Sequence, residues 1–133
     1  MATEILVNDG GAPARILPFT AGMALTGGRA VQIESDGTIG MADVDAAVVG
    51  VAFVDAASGA NCSVISGKGV VLNVMCSGAF DAGHLLTSEV ANLGILASGA
   101  ANATIQGSGT GVAIALEAGP GGTDTGSKKV LVL

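Results

Sequence analysis

VVGVAFVD, residues 48–55, and GTGVAIALE, residues 109–117, decide the fold class. In the first, Val51 and Phe53 flank Ala52; in the second, Val112, Ile114 and Leu116 alternate with Ala113 and Ala115. A period of two belongs to a strand, because successive side chains leave opposite faces of the pleat. The alternation predicts that the bulky residues face the core and that the Ala face lies close to another sheet or subunit. Around these stretches the chain reads in the same way. RAVQIE and TIGMA flank Ser35-Asp36-Gly37, and Asp-Gly between apolar runs predicts a tight hairpin. NLGILA and AANATI flank Ser98-Gly99, which predicts a second hairpin. CSVIS, GVVLNVM and KKVLVL are further β-branched runs, and no window longer than ten residues carries a helical stripe. The predicted class is all-β, a compact antiparallel barrel or sandwich.

Sliding the chain over itself by 61 residues aligns FTAGMALTGG (19–28) with FDAGHLLTSE (80–89). Residues 19–72 then match 80–133 at 15 of 54 positions, where composition alone predicts about five. The matches cluster, at Phe19/Phe80, Gly22/Gly83 and Leu25/Leu86, and again at Gly50-Val51-Ala52 and Gly111-Val112-Ala113. Two diverged copies are therefore expected. Each is too small to be secure alone, so they should share one core within a single domain at 19–133. Residues 1–18 fall outside the repeat. They carry two apolar patches, Ile5-Leu6-Val7 and Ile16-Leu17, separated by Gly10, Gly11 and Pro13. Such a segment is either an edge strand of its own sheet or an arm that adds a strand to a neighbour. Ile5, Leu6, Val7, Ile16 and Leu17 are the candidate contact residues.

Composition narrows the function classes. With 133 residues, half of them apolar, one domain with a real core is expected. There is no Trp or Tyr and only three Phe, so that core is built from aliphatic residues. Charged residues are 12% of the chain, few enough to predict that part of the surface is covered by another subunit. The net charge is −6, and the five basic residues are scattered without interleaved aromatics, which argues against direct nucleic-acid binding. The N-terminal stretch lacks the apolar core of a secretory signal, and no apolar run approaches the ~20 residues of a membrane span. A soluble protein made in a cytoplasm is expected, with Cys62 and Cys76 as buried free thiols.

No catalytic, metal or cofactor-binding constellation is legible. His84 is the only histidine, and Met23 stands opposite it in the repeat, which points to a structural position. SGKG at Lys68 lacks the Ser or Thr that a phosphate loop needs. Among Asp43, Asp45, Asp55, Glu117 and Asp124, only Glu117 falls on a clear strand, and Asp43, Asp45 and Asp124 read as loop or turn residues.

The FDAGHLLT turn, the segment VVGVAFVDAASGANCSVISGKGVV, and the closing GVAIALEAGPGG and KKVLVL together resemble the small bacteriophage capsid decoration, or head cement, proteins. The resemblance covers most of residues 19–133; the chain departs in carrying His84 where Asp is common, and in its long N-terminal segment. It implies a non-enzymatic virion protein, made in the host cytoplasm, that binds the outside of an icosahedral head between capsomers and stabilises it. The implied partners are the major capsid protein and further copies of the chain, as a homotrimer or a dimer. The competing reading is a soluble β-structured binding module of a tail or adhesin-like assembly; a small β-barrel enzyme is a third.

Overall fold

The computed structural model describes residues 5, 15–43, 48–88, 94–98, 113–122 and 124–132. Among them there is no helix. Ten strands run in chain order: β1 Arg15–Thr20, β2 Ala30–Ile33, β3 Ile39–Met41, β4 Val48–Ala52, β5 Asn61–Ser66, β6 Val71–Ser77, β7 Leu85–Ser88, β8 Leu96–Ser98, β9 Ala113–Ala115 and β10 Thr125–Val132. β1 to β5 form one five-stranded sheet, in the order β1-β5-β4-β2-β3, and β6 to β10 close into a barrel. All named pairings are antiparallel except β6 with β8. The expected all-β class is what the chain adopts.

Local chemistry explains the β2–β3 hairpin. Gly37 takes φ 85°, a conformation that only glycine adopts without strain. The Thr38 N–H and hydroxyl both donate to Asp36 Oδ1, at 3.0 and 2.6 Å, and these bonds hold the Asp36 carboxyl below its ordinary pKa. The hairpin expected around Ser98-Gly99 lies largely outside the described residues.

The two five-strand units have the same connectivity. Read around its closure, the barrel runs β6-β10-β9-β7-β8, which is the first sheet's order moved on by five strands. Each unit also has a parallel contact between its first and third strands, Ala21 with Ile39 and Cys76 with Leu96. In this arrangement β2 corresponds to β7, so Leu86 stands where Val31 does. The 61-residue register instead set Leu86 against Leu25, which lies between β1 and β2 and bridges to Ala56. The units as the strands define them run from Arg15 to Ser66 and from Val71 to Val132, and β1 begins before residue 19.

The buried residues form two clusters. The larger joins both units, bringing Ala30, Val51 and Ile65 against Leu72, Val74, Leu86, Leu96 and Val130. The smaller lies within the first unit, around Leu25, Val31, Ile39, Ala52, Cys62 and Val64. β4 separates the two, so Val51 and Ala52 are both buried, on opposite faces. Gly50 permits this: a Cβ there would sit 2.3 Å from the Ile65 carbonyl oxygen and 2.6 Å from Val64 Cγ1.

β9 reverses the sequence expectation. Ala113 and Ala115 are the buried residues, 2% and 1% exposed, whereas Ile114 is half-buried and Leu116 is 40% exposed. A five-stranded barrel has little interior, and Leu72, Leu86, Leu96 and Val130 already fill it. Only the small face of β9 fits inside, and the bulky face turns outward.

Candidate functional site

Of the residues singled out as possible chemistry, Asp55 and Glu117 use their carboxylates, and Asp43 and Asp124 their main-chain groups, to hold the fold. Asp55 Oδ1 accepts the Gly27 N–H at 2.7 Å, and Glu117 Oε2 accepts the Lys129 N–H at 2.7 Å. Asp43 accepts the Ser88 hydroxyl through its main-chain carbonyl at 2.5 Å, and its own N–H donates to Gln32 Oε1. Asp124 closes a turn with Gly121 and Gly78, and Asp45 lies outside the described residues. The His84 Nδ1 is 3.4 Å from the Ser98 hydroxyl. Cys62 and Cys76 are buried free thiols. Burial pushes the Cys76 thiol up to about 12, against a smaller opposing effect of Lys128, and raises Cys62 as well. Among the described residues, no three His, Cys, Asp or Glu side chains gather as metal ligands would.

The exposed edge of the first sheet offers a different kind of site. β1 pairs with β5 on one side, from Arg15 opposite Ser66 to Thr20 opposite Asn61. The Ala21 N–H continues this ladder, donating to the Ala60 carbonyl at 2.8 Å. Strand alternation then turns the main-chain groups of Ile16, Pro18 and Thr20 away from β5. On this outer side β3 engages the end of β1 through the parallel Ala21–Ile39 bridge, in which the Gly22 N–H donates to the Ile39 carbonyl at 2.8 Å. Ile16 is 51% exposed and Leu17 39% exposed, high values for apolar residues within a strand. Ile16 shares a face with its partner Ile65, at the margin of the shared core, and Leu17 shares a face with Val64 of the smaller cluster.

The structure separates the five candidate contact residues. Ile16 and Leu17 lie on the exposed edge. Ile5 is half-buried against the shared core; its carbonyl accepts the Asn73 N–H of β6 at 2.6 Å. Leu6 and Val7 lie outside the described residues. Sequence reasoning did not single out Ile33, Val54 and Leu116, the other large apolar side chains with high exposure. Leu116 was missed because its alternation pattern reads as core-facing, and only closure of the barrel turns it out.

No family model matches the chain, and no curated protein sequence matches it significantly. Among solved structures it is similar to the N base of the head fiber gp8.5 in bacteriophage phi29, with a TM-score of 0.69. The similarity covers 91% of this chain and 95% of that chain, at 14% sequence identity. At that identity, what the two chains share is the fold.

Proposed function

We propose that the protein is a structural component of a bacteriophage head, bound to the outer surface of the shell, where it holds capsomers together as a decoration protein. The observation that carries this reading is the fold shared over nearly the whole chain with a head fiber base of a phage. Composition supports it independently: a surface poor in charge and an edge carrying Ile16 and Leu17 suit a chain that spends its working life against other subunits. The role is mechanical rather than catalytic, in keeping with carboxylates that are occupied as main-chain acceptors. The major capsid protein is the partner, and self-association as a trimer multiplies weak contacts across a symmetric shell.

Co-sedimentation with purified heads lacking the protein tests the reading. Saturable loading, and a higher temperature of head disruption after loading, are the expected results. Absence of loading at concentrations well above that of the heads would overturn it. Light scattering gives the oligomeric state, and a monomer at all concentrations would remove the trimer from the proposal.

A further inference from the structure

We infer that the outward face of the second unit, along the row Leu85, Ile114, Leu131 and Val71, is a self-association surface that receives the first unit of a second copy, head to tail. This deepens the self-association proposed above and rests on that part of the reading, not on attachment to a head.

The strand registers define the row. Leu85 of β7 pairs with Ile114 of β9, Ile114 with Leu131 of β10, and Leu131 with Val71 of β6. Four aliphatic side chains thus lie side by side across four strands. Their chain neighbours Leu86, Ala113, Val130 and Leu72 belong to the shared core, so strand alternation sends the row outward. All four are half-buried, and none belongs to or packs against either buried cluster. Leu116 continues the same face and is 40% exposed. A face turned to water carries polar residues, as Lys129 and Asn73 do opposite each other two positions along. The row does not.

The first unit shows what such a row is for. Its counterpart there is Ala30, Val51, Ile65 and Ile16, paired in the same order across β2, β4, β5 and β1. That row also faces away from the interior of its own unit, since Val31, Ala52 and Val64 fill the smaller cluster. Yet Ala30, Val51 and Ile65 are 0%, 5% and 0% exposed. The second unit covers them: they lie in one cluster with its Leu72 and Val74, and the Ala30 N–H donates to the carbonyl of Gly94, between β7 and β8, at 2.8 Å.

The occupant follows from this joint. Counted back from the parallel contacts at Cys76 and Ala21, Leu72 corresponds to Leu17 and Val74 to Phe19. Leu72 and Val74 are 1% and 0% exposed, whereas Leu17 is 39% exposed and Phe19 is half-buried at the margin of the smaller cluster. The joint within the chain uses the first unit's row and the second unit's Leu72 side. It leaves over the second unit's row and the first unit's Leu17 side, which match by the same correspondence. Neither is buried within the single chain, so the two meet between copies. An interface of two different surfaces closes into a ring or extends as a filament. The proposed trimer is then a ring in which one joint recurs within and between chains. Side-chain packing carries the contact, and no strand is added to β1.

The test is a pair of single variants of the full chain. Leu131→Glu breaks the row and leaves the Leu17 side intact; Leu17→Glu does the reverse. Light scattering over a concentration series should show the wild type associating, and each variant associating about tenfold or more weakly. Mixed in equal amounts, the two variants should form a dimer holding one of each and nothing larger, because one intact row and one intact Leu17 side remain. Thermal melts in dilute solution, where the chain is a monomer, check that each variant folds cooperatively; Ile114→Thr and Leu17→Ser replace one that does not. No dimer on mixing folded variants overturns the inference. So does an oligomer as strong as the wild type's in either variant, which leaves the trimer to another surface. A wild type that stays monomeric at all concentrations removes both this surface and the trimer, and leaves attachment to heads to be decided by loading. If the variants combine as expected but the wild type never loads onto heads, the joint stands and the head reading fails.

Discussion

Leu17→Ala and Leu72→Ala make the same chemical change at corresponding positions of two strands, and should differ sharply in cost. Each removes three carbons, worth about 0.8 kcal/mol per buried CH₂. Leu72 is 1% exposed inside the shared core, so nearly the whole transfer cost applies and a cavity is left behind. The total is about 3 kcal/mol, within the range of about 2–5 kcal/mol for buried Leu→Ala changes. Leu17 is 39% exposed, so the transfer cost falls to about 1.5 kcal/mol or less, and water fills the space in place of a sealed cavity. The two variants should therefore differ by about 2 kcal/mol in urea unfolding at equal m-values, or by roughly 6–10 °C in melting temperature for a domain of this size. Because the substitution is the same, differences in the unfolded chain largely cancel. Equal losses, within about 0.5 kcal/mol, would refute the difference in burial between these two corresponding positions. A larger loss at Leu17 would refute it more strongly.

Three other outcomes follow from the packing and the thiols. The Cys76 thiol, raised from 9.0 to about 12 by burial, favours the folded state fully below pH 9 and loses that effect as the pH climbs toward 12. Unfolding free energy should fall by up to about 1.4 kcal/mol per pH unit in that window. Cys76→Val should flatten the decline, and parallel curves for the two proteins would contradict the assignment. Gly50→Ala drives a Cβ into the Ile65 carbonyl and should cost about 1–3 kcal/mol. Gly126→Ala, whose Cβ meets only Pro120 at 3.6 Å, should stay within about 0.5 kcal/mol in the same denaturation assay. Ala113→Leu should overpack the barrel and lower the melting temperature, whereas Ile114→Thr on the outward face should change it little.

The all-β class was legible because period-two alternation and Asp36-Gly37 act locally: a pleat and a tight turn each depend on residues within a few positions of one another. Burial of Cys62 and Cys76 was legible for a similar reason, since both sit within apolar runs. The structural register of the two units was not. Gly, Ala and Val recur so often that a slide of the sequence finds matches at a spacing the strands do not use, and connections of different length hide the spacing they do use. Which face of β9 is buried was also beyond the sequence, because alternation shows that two faces exist but not which one a narrow barrel can hold. The same holds for Ile16 and Leu17 against Ile5. All three are aliphatic residues in one N-terminal stretch, yet the Ile5 carbonyl accepts the Asn73 N–H of β6 while Ile16 and Leu17 stay exposed. Local side-chain chemistry determined that this chain is built of strands and where several of them turn. Only closure of the second unit, and the lack of closure in the first, decided which apolar residues are core and which stay exposed at an edge.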